Sequence, residues 1–280
     1  MSKAYLFLVA AALAMSGGIA TAIEAKPRHV MSLNLCADQL VLTLLPPERI
    51  ASVSFLSRKS EHAFLTAEAA HVAVNFGTAE EVLAEHPDLV IVGSASTPAT
   101  RELLRRVAIP ILEVPFADDF AAIRANTRVL GEALGEPAKA EELIRRMDAT
   151  LAELAVAGLQ RRIVVAAWDG SGDVPGRGTL FDAILSAAGA VNIAASMNAR
   201  FGSFDMEQLV ASHPDLLAYA DALSDAPGLR RETLRHPVIQ KLYAGRQITF
   251  PETLYNCGLP QSAEAAKAFR AAMLKLVPPR

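Results

Sequence analysis

The chain has 280 residues, 52% of them hydrophobic and 20% charged, with 30 acidic against 27 basic side chains and a formal charge of −3. The apolar content excludes a disordered chain, and two cysteines exclude a disulfide-dense mini-domain. Without a basic excess, nucleic acid is excluded as the main partner.

Met1–Lys3 carries one positive charge, and Ala4–Met15 is an uninterrupted apolar run of 12 residues. Ser16-Gly17-Gly18 breaks it, and Ala20-Thr21-Ala22 has the small-x-small form of a cleavage site. Residues 1–22 are therefore read as a secretory signal peptide cleaved near Ala22, because a membrane-spanning helix needs about 20 apolar residues. No cysteine follows the run until Cys36, which argues against a lipid-anchored N-terminus. The mature chain is expected to be soluble and outside the cytosol.

Short β-branched runs then alternate with helical patterns. His29–Asn34, Ile50–Ser54, Leu89–Gly93 and Ile111–Val114 are predicted strands, and Leu35–Leu45, Ala79–Glu85 and Thr97–Val107 predicted helices. Such alternation implies a mostly parallel sheet covered on both faces, an N-terminal α/β lobe over residues 23–135. Pro137 opens a longer pattern in which Ala140, Leu143, Ile144, Met147, Leu151 and Leu154 recur at three- and four-residue steps. Pro137–Ala157 is predicted as one helix of about 32 Å, stopped by Gly158. It forms a connecting segment over 136–158 whose composition is not that of a flexible linker. The alternation restarts over 159–280, a C-terminal α/β lobe. Its predicted strands are Arg162–Ala167, Asp215–Tyr219 and Gln247–Phe250, and its predicted helices Thr179–Ala188 and Ser262–Leu276.

The two halves echo each other. Glu80-x-Val82-Leu83-Ala84-x-His86-Pro87-Asp88-Leu89 has a counterpart 127 residues later in Glu207-x-Leu209-Val210-Ala211-x-His213-Pro214-Asp215-Leu216. Phe76-Gly77-Thr78 and Phe201-Gly202-Ser203 precede the two copies. Each copy reads as a short helix ending before Pro, with Asp-Leu opening a strand. A duplicated lobe is favoured over a common helix-to-strand connector.

With a leader, two α/β halves, one connecting helix and the segment "GTAEEVLAEHPDLVIVG" (Gly77–Gly93), the chain resembles the periplasmic solute-binding proteins of ABC importers. It is most similar to the group that binds vitamin B12, ferric siderophores and haem. "SLNLCADQL" (Ser32–Leu40) and "GRGTLFDAILSAAGAVNIAA" (Gly176–Ala195) add to the resemblance. The resemblance implies two Rossmann-like α/β lobes joined by one long rigid helix, with the ligand cleft between them. It implies an inner-membrane permease and its ATPase as partners, a small-molecule metal chelate as cargo, a periplasmic location and a monomer. It also implies that Glu80 and Glu207, one on each lobe, dock into the permease. Helix-dipole compensation is the plainer role for an acidic residue there, and Glu81 would serve it as well as Glu80.

Open α/β sheets bind ligands beyond the carboxyl ends of their strands. The cleft is thus expected among Asn34–Cys36, Phe55–Ser60, Ser94–Ser96 and Phe116–Asp118 of the first lobe. The second lobe is expected to add Trp168–Thr179, Tyr219–Leu223 and Pro251–Cys257. Within these loops the candidate ligand-binding residues are Asn34, Cys36, Arg58, Phe116, Trp168, Arg177, Tyr255 and Asn256. Trp168, at a strand end, suits stacking on a chelate ring or plain core packing. Arg58, Lys59 and Arg177 are the cationic candidates, with Arg200 as a further one, and a solvated surface role is the plain alternative for Arg177. Cys36 and Cys257 lie on the first and last strand-to-helix loops, on opposite lobes. Three states stay open for them: a disulfide, two free buried thiols, or a thiolate pair on a soft metal.

The Gly-rich stretch Gly170–Gly178 is neither a dinucleotide fingerprint nor a P-loop. No G-x-S-x-G elbow is present, only the fragment Gly170-Ser171-Gly172, so no catalytic residue is assigned. A secreted α/β hydrolase is the alternative of a different class, and a binding protein that signals without delivering its ligand is another. No histidine spacing marks a metal site: His86 and His213 fall in the connectors, His62 and His71 in a long loop. Asn34 stands where bare-metal binders of the resembled fold often carry His. No intrinsic cofactor or metal is expected. A corrinoid ranks first as cargo, since a bulky, partly apolar ligand suits Trp168, Phe116 and Tyr255. A ferric siderophore follows and haem is third, with Tyr255 as a candidate axial ligand.

Overall fold

The computed structural model describes residues 26–59, 63–94, 98–106, 109–156, 161–168, 170–197, 199–220, 228–250, 253 and 255–277. The signal peptide over 1–22, the helix stop at Gly158, His62, Ser60 and the cleft-loop positions 95–96, 169, 221–223, 251–252 and 254 lie outside the described residues.

The first lobe runs β1 (Val30–Ser32), α1 (Leu35–Leu44), β2 (Ile50–Ser54), α2 (Thr66–Ala69), β3 (Val74–Asn75), α3 (Ala79–Glu85), β4 (Leu89–Gly93), α4 (Pro98–Arg106), β5 (Ile111–Val114) and α5 (Phe120–Ala133). Its sheet has the order β3-β2-β1-β4-β5, with every neighbouring pair parallel. The 20-residue α6 (Pro137–Val156) follows. The second lobe runs β6 (Ile163–Ala167), β7 (Asp173–Pro175), α7 (Leu180–Ala187), β8 (Ala190–Asn192), β9 (Phe201–Ser203), α8 (Met206–Ser212), β10 (Leu216–Ala220), α9 (Leu229–Leu234), α10 (Pro237–Tyr243), β11 (Gln247–Phe250) and α11 (Ser262–Leu276). Its parallel sheet has the order β11-β10-β6-β8, and β7 and β9 form a separate antiparallel pair.

Strand periodicity puts helices on both faces of each sheet. In the first, Val30 and Ile91 join the core beneath α1, α5 and the start of α6, while Met31, Val90 and Val92 pack on Val82 of α3 and Leu104 of α4. In the second, Ile163 and Val165 face α6, α7 and α11, while Ala166 and Leu217 face Leu209, Leu234 and Ile239. In each sheet the connections leave to opposite sides of one strand: β1 lies between β2 and β4, and β6 between β8 and β10. These are the switch points where such sheets open a crevice at their carboxyl ends.

The helix α6 is anchored in both cores, through Ala140 in the first and Met147 and Leu154 in the second. Ion pairs tie it to α5 (Arg128–Glu141, 2.6 Å; Arg124–Asp148) and to α11 (Lys267–Glu153, 2.9 Å). Buried Arg270 of α11 donates to the Leu154 carbonyl in its last turn. After β11 the chain returns to the first lobe, where Cys257 and Leu259 are buried in the core, before α11 packs on the second. Among the described residues no helix is long and apolar enough to cross a membrane.

The duplicated segments adopt one local structure. Both α3 and α8 are seven residues long and open with capping boxes, Thr78 with Glu81 and Asp205 with Gln208. Both end on a left-handed histidine, His86 (φ 50°) and His213 (φ 48°). Asp88 then accepts from the backbone N–H of Arg28 and His29 ahead of β1, and Asp215 from that of Val164 in β6.

Candidate functional site: a cleft at the carboxyl ends of both sheets

A cavity of about 610 Å³ lies between the lobes, walled by residues at or beyond the ends of β1, β4 and β5 on one side and β6 and β10 on the other. Asn34, Cys36, Phe116, Tyr255 and Asn256 line it together.

On the first-lobe side, Asn34 caps α1, its side-chain oxygen accepting from the N–H of Cys36 (3.1 Å) and Ala37 (3.0 Å). Gly93 ends β4 against that side chain, and a Cβ there would overlap it. The loop after β5 carries Phe116, 60% exposed, and Asp118. Two contacts fix this loop: Asn126 of α5 donates to the Pro115 carbonyl (2.7 Å), and Gly258 packs so closely on Ala117 that a side chain would not fit.

On the second-lobe side the wall is aromatic. Tyr255 stacks on Phe250 (centroids 5.3 Å apart) and meets the edge of Phe181 (5.4 Å). The Tyr219 hydroxyl donates to Gln247 (2.9 Å), and burial pushes its pKa up. Phe201, 64% exposed, opens β9 at the rim. Arg200 beside it is the only cation among the described lining residues, against two anions, Asp118 and Asp173. Its guanidinium makes two parallel bonds to Asp118 across the cleft, 2.7 and 2.6 Å, and this pairing raises its pKa.

Three expected ligand contacts are corrected. Trp168, 1% exposed, belongs to the core on the far side of the second sheet, where its indole N–H donates to the Phe204 carbonyl (2.8 Å). It shares strand parity with Ala166, whereas Ala167 points to the cavity side. Arg58 lies off the cavity and clamps the carbonyls of Ala69 and Val72. Arg177 is exposed on the second lobe and donates to Ala195. The described part of the loop Phe55–Ser60, Phe55–Lys59, does not line the cavity: it begins as a 3-10 helix with Ser57 buried against Asp38.

The structure joins Cys36 to Cys257 as a disulfide, with Cα atoms 5.1 Å apart and a sequence separation of 221. Neither sulfur is available as a thiolate. The placement on opposite lobes is corrected too: Cys257 sits in the first-lobe core, so the bond staples the returning segment to α1 beside the cavity and does not span the cleft. Sequence reasoning missed Phe181, Phe201 and Asn126. The Phe-Gly-Ser echo was the one signal pointing to Phe201.

Glu80 and Glu207 lie away from the cavity, both exposed in the first turns of α3 and α8, and neither makes a hydrogen bond or ion pair among the described residues. Glu81 is engaged as a cap. Burial pushes its carboxyl up, but bonds from Thr78 and Phe76 outweigh that and hold it below the usual range. Among the described residues no three His, Cys, Asp or Glu side chains group as metal ligands.

Residues 59–249 match the family described as periplasmic binding protein. No curated protein matches the sequence. Solved structures share the fold, three of them as follows. A periplasmic heme-binding protein, RhuT from Roseiflexus sp. RS-1, is 22% identical, with 89% of this chain and 98% of that one covered at a TM-score of 0.74. The periplasmic vitamin B12 binding protein BtuF of Vibrio cholerae is 17% identical, with 91% and 99% covered at 0.69. An ABC-type Fe3+-hydroxamate transport protein from Saccharomonospora viridis is 16% identical, with 91% and 95% covered at 0.66.

Proposed function

This chain belongs to the periplasmic binding protein family, and from that premise we propose that it captures a metal chelate, first of all a corrinoid of the vitamin B12 class, and delivers it to an inner-membrane ABC permease. One observation carries the choice of cargo: the cavity wall is aromatic and amide-rich, and its single described cation is already committed to Asp118. A corrinoid is broad, partly apolar and edged with uncharged amides. Phe116, Phe201 and Tyr255 offer it ring faces, and Asn34, Asn126 and Asn256 offer amide partners. Among the described lining residues a siderophore bearing several anionic groups would find Arg200 as its one cation, and haem would bring two carboxylates to the same guanidinium. Known binders of haem, vitamin B12 and iron hydroxamate share this fold, so the fold alone does not rank them.

On this reading the chain works in the periplasm after loss of its leader, as one copy per ligand, and Glu80 and Glu207 supply the acidic contacts to the permease. Nothing favours a hydrolase: no histidine is among the described lining residues, and both cysteines are bonded. Absorption titration of the purified protein with cyanocobalamin, dicyanocobinamide, haemin and a ferric hydroxamate is the test. Saturable, stoichiometric corrinoid binding is expected. Binding of haemin or the hydroxamate alone would reassign the cargo. Unchanged permease affinity in the Glu80→Ala, Glu207→Ala double variant would remove the delivery step.

A further inference from the structure

We infer that Asp118 is a specificity-determining residue that turns the cleft against anionic chelates by holding Arg200 in an intramolecular pair. The inference rests on the reading above, that the cleft takes an uncharged, amide-edged chelate.

The pair is built, not incidental. Asp118 sits in a loop pinned by the Asn126–Pro115 hydrogen bond on one side and by close packing of Gly258 on Ala117 on the other. Arg200 immediately precedes β9, and its own carbonyl accepts from Gly176 (2.6 Å). The two residues come from different lobes, 82 positions apart, yet meet fork to fork at 2.6 and 2.7 Å. A planar guanidinium engaged this way has its Nη1–Nη2 edge filled by a carboxylate, and its Nε–Nη side edge is the carboxylate-matching edge that is left.

The cavity therefore presents an anionic ligand with one cation already taken and one further carboxylate, Asp173, unmatched by any other described lining cation. To take the Nη1–Nη2 edge, the ligand must displace Asp118 and leave that carboxylate facing its own negative groups; to take the side edge, it must sit beside the Asp118 charge that already offsets Arg200. Like charges brought together at an interface are how wrong partners are excluded. An uncharged chelate meets the pair intact and incurs neither cost. Removing the Asp118 charge frees Arg200 for a ligand carboxylate and balances it against Asp173.

The test is the ratio of haemin to dicyanocobinamide affinity in the full mature chain, measured at low and high salt. Asp118→Asn, Asp118→Glu, Arg200→Gln and the Asp118→Asn, Arg200→Gln double variant are compared with the parent, and thermal unfolding confirms that each is folded. Asp118→Asn should raise the ratio about tenfold at low salt, the factor that 1.4 kcal/mol carries, with the gain shrinking as salt screens it. Asp118→Glu should behave like the parent, and the double variant should lose the gain. An unchanged ratio in Asp118→Asn overturns the inference, as does the same gain in Arg200→Gln. The second result would mark the pair as a simple latch between lobes, whose release shifts both ligands alike. If the parent binds no corrinoid, the cargo reading falls. The comparison of haemin affinity between parent and Asp118→Asn still decides the role of Asp118, and absence of haemin binding to every variant counts against it.

Discussion

Asp38 offers the sharpest check on the physical account, because its carboxyl lies wholly buried in α1, one turn from the Asn34 cap and the Cys36 bond that shape the cavity wall. Its Oδ2 accepts from the Ser54 N–H (3.0 Å) and the Ser57 hydroxyl (2.7 Å), while Oδ1 and the nearby Ser32 hydroxyl are buried without a hydrogen-bond partner. Ser32 lies near enough to favour the charged form, yet the two groups do not reach hydrogen-bond geometry. Burial dominates and pushes the carboxyl from 3.8 up to about 8. The folded chain therefore keeps a proton that the unfolded chain releases above pH ~4. Stability from this site is complete below that pH and falls as pH rises toward 8, by about 1.4 kcal/mol per unit within the window. Across the whole window the loss is on the order of 5 kcal/mol. Asp38→Asn keeps an oxygen for Ser54 and Ser57 and adds an amide donor beside Ser32, with nothing to ionise. Guanidinium unfolding of both proteins at pH 5, 6, 7 and 8 measures the difference. The variant should gain about 4 kcal/mol on the parent between pH 5 and pH 8, since about three units of the window are crossed. Parallel stability curves for the two proteins would refute the argument.

Three further outcomes follow from the placements above. The Cys36→Ser, Cys257→Ser double variant opens a loop whose ends are 221 residues apart and should lose on the order of 5 kcal/mol on the chain-entropy model. Its calorimetric midpoint should drop accordingly, and a midpoint indifferent to reductant in the parent would contradict the stapling role. Trp168→Phe orphans the Phe204 carbonyl and should cost about 1–3 kcal/mol of stability with ligand affinity retained, so a selective loss of affinity would return Trp168 to the cleft. Phe116→Ala removes an exposed ring from the cavity wall and should weaken corrinoid binding about tenfold without moving the unfolding midpoint. Equal titration curves would take Phe116 out of the site.

The fold was legible where local and global signals coincide. Leu89–Gly93, Ile111–Val114 and Gln247–Phe250 are strands over the predicted bounds, and α6 is helical from Pro137 to Val156, the last residue described on that side. Continuous apolar runs and a three-to-four-residue repeat leave few alternatives there. The site was half legible. Asn34, Cys36 and Phe116 follow strand ends, a position the sheet rule identifies. The errors have two physical sources. Trp168 also follows a strand, but its parity sends it to the outer face, a distinction of one residue that composition does not carry. Phe201 and Arg200 reach the rim through β7 and β9, three residues each and paired across about 28 positions, too short for a period to register. The 14-residue α5 had its signal in Asp119, which caps it through the Ala122 N–H, and in Ile123 and Leu130, buried on one face.

The cavity and its hinge constrain one another. A lobe joint made of α6, rooted in both cores and braced by α5 and α11, resists large rotation because bending it breaks packing on each side. The returning segment at Cys257–Leu259, bonded to α1, adds a second tie at the same end. A binding protein jointed this way cannot build its specificity by folding deeply around the ligand, as hinge-strand designs do. Discrimination must then reside in a wall that is largely preformed: the exposed rings of Phe116 and Phe201, the capped Asn34, and the charge held between Asp118 and Arg200. Of these the ion pair joins the two lobes directly, so a ligand that takes the Nη1–Nη2 edge of Arg200 must also loosen a contact between the lobes. On the proposed reading, that coupling makes the rim both boundary and filter and favours a neutral chelate over an anionic one.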